Sequence, residues 1–429
     1  MRRLLHIALL FTVCTVAVFA QRPETTPDGQ ARDITKLKQL FDRKRYFELR
    51  DAVGNYNGRP EAKLLFFRGA VANAFNRPLD SARYLRRFIA RAGRDGEWLS
   101  DAYTLLADDF VKTYDYGKAA DAYRTLLDRF RQTLKPDELK DYENAAALYN
   151  SLRGVPRQRV VLGRAARLNG PGAGAGWNVP VEAGGGRVTL GLDTGANISL
   201  LARSVAERLG VRMLGRSISV GSVTSIEVRP GLGLLPSMKV GGATVRNAVF
   251  IVLDDQALTF PDGFKLEGVI GFPVIEGLGR VSFGGDGSVS VSRTSPRGGR
   301  PNLCLDGRDI LFRGVYEGKE LTFTLDTGAE RSVLYLPFLQ EFEGEVKARY
   351  ELRNEKFTGV GGTEEVPAYI VKDFAVSFAG KGVRLPEVRL LTRALTENGR
   401  HYYGNVGQDA IKRFRLMTLD FASMNVAFE

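Results

Sequence analysis

Two hydrophobic patterns divide this chain. From about Asp33 to Arg153, apolar residues recur at helical spacing and Gly and Pro are sparse, which predicts a run of amphipathic helices. After a Gly-rich segment at 169–177, strand-like alternation of apolar and polar residues dominates, as in 187–192. A second Pro- and Gly-rich stretch at 295–301 divides this strand-rich part into two portions of similar length.

These boundaries predict a multidomain α + β protein. We expect a helical region at 21–165, a Gly-rich linker at 166–177, and two mainly β portions, lobe 1 at 178–294 and lobe 2 at 295–429. The linker composition is typical of flexible connections, so the helical region is expected to fold separately from the lobes.

The helical part contains a repeated pattern. Small and large apolar residues alternate on successive helix faces: Leu106, Ala107, Phe110, Ala119, Tyr123 and Leu126. This alternation resembles a tetratricopeptide repeat, which implies stacked helix pairs with a concave face suited to a protein partner. A plain helical bundle that acts as a spacer is the alternative.

The first twenty residues are interpreted as a secretory signal. Arg2 and Arg3 precede a mostly apolar stretch, and small residues fit a cut after Ala20. We expect an exported protein, periplasmic or extracellular, with no stable membrane span after cleavage. An uncleaved anchor is one alternative, and a lipoprotein attached through Cys14 is a weaker one.

Composition narrows the chemistry. Two Cys and two His among 429 residues exclude a disulfide scaffold and a Cys/His zinc cluster, and they disfavour Ser- or Cys-type triads. The net charge of +12 is scattered, with no basic run or aromatic ladder, so nucleic acid is not an expected partner. Hydrolytic chemistry would therefore depend on carboxylates, without a metal or another cofactor.

Two sequence blocks occur twice. The segment 188–201, which contains Asp193-Thr194-Gly195-Ala196, aligns with 321–334, which contains Asp326-Thr327-Gly328-Ala329. The later segment 268–275 aligns with 404–411, so that Ile270-Gly271 matches Val406-Gly407. A single Asp before Gly is commonly an ordinary turn residue. Two ordered blocks that each recur are hard to obtain by chance.

The repeated blocks resemble the aspartic protease superfamily, and the Ala after Gly is similar to its retroviral-type (retropepsin-like) branch. The resemblance covers the chain from Val179 to the C-terminus. It implies that Asp193 and Asp326 meet at a lobe interface, as in a single-chain pseudo-dimer, and hydrolyse a peptide or protein substrate with an activated water. Two like carboxyls at close range share one proton, so the pair holds an acid and a base together.

The resemblance also implies supporting roles. Thr194 and Thr327 would hydrogen-bond across the interface, and Gly195 and Gly328 would let backbone amides approach the carboxylates. Gly271 and Gly407, with the neighbouring Ile270 and Val406, would pack beneath the catalytic loops. Each lobe is expected to carry a Gly-rich flap over the substrate, with a plain hairpin as the alternative. The flap residues are Val220, Gly221, Ser222, Gly359, Val360, Gly361 and Gly362.

The two lobes are not identical. Asn405 breaks the apolar-apolar-Gly rule of the second block, and Phe272-Pro273 in lobe 1 stands where lobe 2 has Gln408-Asp409. We therefore expect an asymmetric cleft. A non-catalytic peptide-binding or scaffold protein is an alternative function, although intact Asp, Thr and Gly in both lobes favour an enzyme. A latent enzyme is another, in which the helical region or residues 164–176 fill the cleft until removed.

The residue after each Gly predicts the pH dependence. Pepsin-like enzymes place Ser or Thr there, whose hydroxyl donates to a catalytic carboxylate and lowers its pKa. Ala196 and Ala329 have no such donor, so activity should peak in mildly acidic to near-neutral solution, roughly pH 4.5–7. Replacing both Ala with Thr should move the acidic limb of the pH–rate profile downward. A wild-type optimum below about pH 3, or an unmoved limb in the double variant, would contradict this argument.

Overall fold

A computed structural model describes residues 27–58, 62–93, 96–163, 166–169, 176–217, 230–260, 263–292, 299–359 and 362–429. The predicted signal at 1–20 and five of the predicted flap residues lie outside these ranges: Val220, Gly221, Ser222, Val360 and Gly361. The described chain is helical up to Ser151 and rich in strands from Arg159 onward, which confirms the predicted α + β class. Among the described residues, no helix combines the length and hydropathy needed to cross a bilayer.

The N-terminal helices pack in chain order. They are α1 Pro27–Asp42, α2 Tyr46–Gly54, α3 Ala62–Ala74, α4 Pro78–Ala92, α5 Leu99–Lys112, α6 Tyr116–Phe130 and α7 Pro136–Ser151, with a 3₁₀ turn at Arg131–Thr133. From α3 to α7, each helix packs on the next. Pro78 and Pro136 begin their helices at positions where no intrahelical N–H bond is lost.

The turns between paired helices share one geometry. Lys44, Asn76 and Tyr114 have φ angles of 54°, 53° and 57°, and each lies between two consecutive helices, α1–α2, α3–α4 and α5–α6. The residue after each of them donates its N–H to a carbonyl five residues earlier, as in Arg45 to Leu40. This recurring turn is what stacked helix pairs require, and the tetratricopeptide identity of the repeat stays a prediction.

Lobe 1 is built around an eight-stranded sheet. Its strands and those that flank it are β1 Arg159–Leu162, β2 Ala166–Arg167, β3 Asn178–Ala183, β4 Gly186–Asp193, β5 Ser199–Ala202, β6 Arg212–Ser217, β7 Gly231–Val240, β8 Ala243–Leu253, β9 Gly268–Gly271, β10 Arg280–Gly284 and β11 Val289–Ser292. Two helices, α8 Arg203–Arg208 and α9 Phe272–Gly277, and a 3₁₀ turn at Asp255–Leu258 complete it. The strand order is β1-β8-β5-β9-β4-β3-β7-β6.

Lobe 2 is also built around an eight-stranded sheet. Its strands are β12 Leu303–Asp306, β13 Asp309–Tyr316, β14 Lys319–Leu325, β15 Val333–Leu334, β16 Glu351–Gly359, β17 Gly362–Phe378, β18 Lys381–Leu391, β19 Gly404–Val406, β20 Leu416–Asp420 and β21 Asn425–Phe428. Its helices are α10 Leu336–Glu341, α11 Glu343–Arg349, α12 Asn398–His401 and α13 Gln408–Ile411. The order of its large sheet is β12-β13-β14-β19-β15-β18-β17-β16.

The two lobes share a third sheet. Its order is β2-β11-β10-β20-β21, and β10 of lobe 1 pairs antiparallel with β20 of lobe 2, with Val281 opposite Leu419. Both residues are fully buried. This sheet therefore joins the lobes through strands that are far in sequence from the repeated Asp-Thr-Gly loops.

Strands β1 and β2 differ from the prediction. The residues of β1 were expected to belong to the helical region, and those of β2 to the linker. Val161 of β1 pairs with Thr244 of β8, and β2 pairs with β11. The described linker residues beside the glycines are also fixed: Leu168 and Trp177 are buried, and Trp177 Nε1 donates to the carbonyl of Gly284 at 2.8 Å. The apolar side chains of Leu168 and Trp177 therefore anchor the described ends of the predicted linker to the lobes.

The helical region also packs on the lobes, contrary to the expectation of a separate fold. Asp306 of lobe 2 accepts hydrogen bonds from Lys44 Nζ at 2.8 Å and Tyr46 OH at 3.0 Å, and also from Tyr402 of its own lobe. Burial alone would raise the pKa of Asp306, but the Lys44 charge and these donors lower it. One hydrophobic cluster runs from Phe47 in α2 to Leu303 in β12.

A shortened chain tests this interdependence. A chain that begins at Trp177 lacks β1, β2 and every helix up to α7, and it leaves the buried Asp306 without Lys44 and Tyr46. We expect it to be insoluble or to lose cooperative thermal unfolding and its near-UV circular dichroism signal. The reason is that part of the hydrophobic core becomes exposed and the Asp306 carboxylate loses its cationic partner. A chain that begins at Pro27 is the control and should unfold like the full chain. A cooperative, native-like transition for the 177–429 chain would contradict the shared core.

Candidate active site

The repeated Asp residues each follow an apolar strand. In β4, Val188, Leu190 and Leu192 alternate inward, and Asp193 is the last residue of that strand. In β14, Leu321, Phe323 and Leu325 are buried, and Asp326 follows directly. Each of these strands pairs in parallel with the strand of its own second block, β4 with β9 and β14 with β19. The packed strands therefore fix where each carboxyl leaves its sheet.

The two threonines bind each other's loops. Thr194 N–H donates to Thr327 Oγ1 at 3.0 Å, and Thr327 N–H donates to Thr194 Oγ1 at 3.0 Å. Each hydroxyl then donates across the interface to a carbonyl of the opposite strand, Thr194 to Leu325 at 3.1 Å and Thr327 to Leu192 at 2.7 Å. Both threonines are 1% exposed. These four reciprocal, buried hydrogen bonds lock the two Asp-Thr-Gly loops together.

Each carboxyl faces the glycine of the other loop. A Cβ atom on Gly195 would lie 2.6 Å from Cγ of Asp326, and a Cβ on Gly328 would overlap the carboxyl of Asp193 in the same way. Only glycine allows this approach, so the residue after each Thr is constrained by the opposite Asp. The structure thus brings Asp193 and Asp326 to the same point between the lobes.

Backbone amides bind one oxygen of each carboxyl. Oδ1 of Asp193 accepts from the N–H groups of Gly195 at 2.9 Å and Ala196 at 3.2 Å. Oδ1 of Asp326 accepts from Gly328 at 2.8 Å and Ala329 at 3.0 Å. Such donors favour the ionised carboxylate and fix its orientation.

The electrostatics of the pair oppose full ionisation. Burial, followed by the charge of Asp326 and a hydrogen bond with it, raises the pKa of Asp193 from 3.8 to about 7. The amides of Gly195 and Ala196 act in the opposite direction but do not compensate. A proton is therefore held between two facing carboxyls up to near-neutral pH, and it belongs to the pair rather than to one residue.

The second blocks lie directly beneath these loops. Ile270 and Val406 are buried, and a Cβ on Gly271 would lie 2.5 Å from the carbonyl oxygen of Ala196. A Cβ on Gly407 would lie 2.9 Å from the carbonyl oxygen of Ala329. The block backbones also support the loops, since Phe272 N–H donates to the Ala196 carbonyl at 2.8 Å and Gln408 N–H to the Ala329 carbonyl at 2.9 Å.

Two serines that the sequence reasoning missed complete this support. Ser199 Oγ accepts the N–H of Gly271 at 3.0 Å, and Ser332 Oγ accepts that of Gly407 at 3.0 Å. Both serines occupy the same place in the two aligned segments, so the duplication itself was a signal for them.

Asn405, which breaks the apolar rule in lobe 2, has a defined partner. Its side-chain Oδ1 accepts from Thr324 Oγ1 at 2.8 Å, and the two residues are opposite each other in the β14–β19 pair. Because β4 has Gly191 and β9 has Val269 at the matching pair, this polar contact belongs to lobe 2 alone.

Two of the residues predicted for the lobe 2 flap, Gly359 and Gly362, lie at the paired ends of strands β16 and β17. Strands β16 and β17 pair along their length, and Gly359 is opposite Gly362 at the tip. Phe357 of β16 and Val366 of β17 pack in one small hydrophobic cluster with Tyr335. The remaining predicted flap residues fall outside the described ranges.

Among the residues that the structure describes, no three His, Cys, Asp or Glu side chains converge as a metal site would require.

Comparison with known families agrees with this arrangement over part of the chain. Residues 179–274 match the family model described as aspartyl protease. The matched range contains Asp193-Thr194-Gly195 and the second block through Val274, so this part of lobe 1 is similar to an aspartyl protease domain. No curated protein matches the chain.

The raised pKa of Asp193 predicts how stability depends on pH. The folded protein binds this proton more tightly than the unfolded chain does, so the stabilisation is full below about pH 4 and is lost as the pH rises through about 7. Asp193→Asn removes the ionisable group while its amide oxygen can still accept from Gly195. Relative to wild type, this variant should gain roughly 2–4 kcal/mol in unfolding free energy between pH 4 and pH 8. Urea denaturation at both pH values measures this difference.

The matched control is Asp373→Asn, which changes a carboxyl that is 78% exposed. Its stability difference from wild type should stay within about 0.5 kcal/mol at both pH values. A constant difference between Asp193→Asn and wild type across this range would contradict the buried, proton-sharing pair.

Proposed function

We propose that this chain is a single-chain aspartic endopeptidase in which Asp193 and Asp326 form the catalytic dyad. The observation that carries this proposal is the reciprocal Thr194–Thr327 interlock, which orients one carboxyl from each lobe toward the other. The aspartyl protease match over 179–274 supports the chemistry of lobe 1. For lobe 2, which lies outside that match, support comes from the repeated amide, serine and glycine contacts around Asp326.

The proposed reaction uses the proton that the carboxyls share. The ionised carboxyl takes a proton from a water bound between the two, and this water attacks the peptide carbonyl carbon while the protonated carboxyl donates to the carbonyl oxygen. Collapse of the tetrahedral intermediate breaks the C–N bond. The amine leaves with one proton from the dyad, and a hydroxyl of the intermediate returns one proton to it, so the pair again holds a single proton. The raised pKa of Asp193 supports a proton being present at the pair near neutral pH.

We also propose that the lobes are related by an approximate twofold axis. In both, the strand that carries the Asp pairs in parallel with the second-block strand, and that strand pairs antiparallel with the one after the Asp loop. The β16–β17 hairpin is proposed as the lobe 2 flap, since it ends in Gly359 opposite Gly362. A Gly-rich tip would let backbone groups bind an extended peptide.

Export remains part of the proposal and rests on the N-terminal sequence, Arg2-Arg3 followed by an apolar stretch and Ala20. A protein partner on the helical region rests likewise on its repeat pattern. The latent-enzyme alternative gains little from the described part of 164–176. Leu168 N–H donates to Val289, and Asn169 Nδ2 to Gly287 at 3.0 Å, so these residues are held by the shared sheet.

Loss of either carboxyl tests the dyad. Asp193→Asn and Asp326→Asn should each lower turnover of a mixed peptide library by at least about 10³-fold, because an amide can act neither as the base nor as the acid. Both variants should keep the wild-type circular dichroism spectrum. The exposed-carboxyl variant Asp373→Asn is the control and should cleave like wild type.

Pepstatin provides a second criterion, since it should inhibit the wild-type protein. Near-wild-type cleavage by either dyad variant would exclude a two-lobe dyad. A folded wild-type protein that cleaves no member of the library would favour the non-catalytic peptide-binding hypothesis.

A further inference from the structure

The two catalytic loops are supported by different side chains. In lobe 2, Gln408 Nε2 donates to the Thr327 carbonyl at 2.9 Å. Asp409 Oδ1 accepts from Ser332 N–H at 2.8 Å and from Ser332 Oγ at 2.7 Å. Lobe 1 has Phe272 and Pro273 at the aligned positions, and neither has a polar side chain. The loop that carries Asp193 therefore lacks the side-chain support that lobe 2 supplies to its own loop.

Side chains from the helical side of the molecule support this loop indirectly instead. Tyr114, at the turn between α5 and α6, donates its hydroxyl to the Pro273 carbonyl at 3.0 Å. Gln158 Nε2, after α7, donates to the same carbonyl at 2.8 Å. The neighbouring Phe272 N–H donates to the carbonyl of Ala196, whose own N–H binds Asp193. Tyr114 is thus connected to the Asp193 carboxylate through the backbone of Pro273 and Phe272 and then that of Ala196.

Arg308 forms a second connection. It lies in the turn between β12 and β13 of lobe 2 and is 9% exposed. One guanidinium nitrogen donates to the Asn197 carbonyl in the lobe 1 catalytic loop at 2.5 Å, and the other to the Val111 carbonyl at the end of α5 at 3.4 Å. A single buried side chain therefore joins lobe 2, the helical region and the loop that carries Asp193.

The surroundings of Arg308 are aromatic and enclosed. The rings of Tyr116 and Tyr149 stack with centroids 6.1 Å apart and planes 8° apart. With Ile198, Pro273 and Arg308, they line a small cavity. The charged and titratable groups that act on Arg308 from the packed elements are Tyr114, Tyr116, Tyr123, Tyr149, Asp108 and Glu276. Hydrogen bonds in such a site are little weakened by water and hold their geometry.

We infer that the helical region is a positioning part of the active site. Tyr114 and Gln158 from the helical side, together with Arg308 of lobe 2, which also binds the Val111 carbonyl of α5, hold the lobe 1 loop 193–197 as Gln408 and Asp409 hold the lobe 2 loop. The catalytic consequence of this inference rests on the proposed function. None of the three side chains touches the carboxyls, so they are positioning residues that act through the Ala196 and Asn197 backbone.

The inference predicts a specific change in the dyad. If the Asn197 carbonyl is released, the adjacent Ala196 N–H···Oδ1 bond to Asp193 lengthens, and the ionised carboxylate loses a donor. The groups that face Asp193 are otherwise unchanged, namely Asp326 and the Gly195 amide. The pKa of the pair then rises, so the acidic limb of the pH–rate profile moves to higher pH. Misplacement of the loop also lowers kcat more than it raises KM.

The test compares Arg308→Gln with Arg313→Gln in the full chain. Arg313 also joins the helical region to lobe 2, since its guanidinium lies 4.7 Å from the Phe47 ring, but it does not contact the catalytic loop. Arg308→Gln should lower kcat by about 10-fold or more, with KM changed less than about twofold, and should move the acidic limb upward. Arg313→Gln should leave both unchanged. Arg308→Lys, which can still donate to the Asn197 carbonyl, should recover part of the loss.

A double variant provides an independent test in case Arg308→Gln does not fold. Tyr114→Phe with Gln158→Met removes both side-chain donors to Pro273 but keeps the size and apolar character of the site. It should lower kcat and move the acidic limb in the same direction as Arg308→Gln. If the Arg308 variant does not fold, this variant decides the outcome.

Hydrogen–deuterium exchange separates positioning from activity. Peptides that cover 193–199 should exchange faster in Arg308→Gln and in the double variant than in wild type, while peptides that cover 326–332 should not. That pattern in a protein that cleaves nothing would uphold positioning and reject the proposed protease. If wild type cleaves and Asp193→Asn does not, but the Arg308 and double variants exchange and turn over like Arg313→Gln, positioning is overturned.

Discussion

The structure depends on one buried contact, in which the backbone N–H of Thr194 and of Thr327 each donates to the other's hydroxyl. Each hydroxyl in turn donates a hydrogen bond to a carbonyl of the opposite strand. Two carboxyls repel when both ionise, so above the raised pKa of the pair their own charges would push the two loops apart. The threonine interlock, with Gly195 and Gly328 leaving space for the opposite Asp, supplies the missing attraction. Everything beneath it, from the serines to the second-block glycines, keeps those two loops from separating.

The same contact explains why the rest of the molecule is tied together so extensively. A buried carboxyl pair is costly to ionise, so the two loops that carry it must be held in place by the surrounding structure. The shared β10–β20 sheet fixes the lobes on one side, and Arg308 and Asp306 fix the helical region to them on the other. Lys44, Asn76 and Tyr114 each reach a lobe from the same position of a recurring helical turn.

The sequence predicted the features that are local or duplicated. Asp193 and Asp326 follow alternating apolar strands, and Ile270-Gly271 and Val406-Gly407 recur at matched spacing, so pattern alone indicated them. It could not predict that 159–162 would add to a sheet beside β8, because strand pairing over some 80 residues leaves no local period. Arg308 and Tyr114 carried no motif either, since their partners are backbone carbonyls more than a hundred residues away.

The junction at Arg308 also bears on how a duplicated chain can diverge. In an assembly of identical subunits, any substitution appears on both sides of the axis, so a docking surface must be made twice or not at all. Here each Asp-Thr-Gly loop is encoded separately, so the chain carries Phe272-Pro273 beneath one loop and Gln408-Asp409 beneath the other. One helical stack then suffices for one loop. Because the two halves are joined in one chain, the residues that support one loop can differ from those that support the other. A symmetric dimer does not allow this difference.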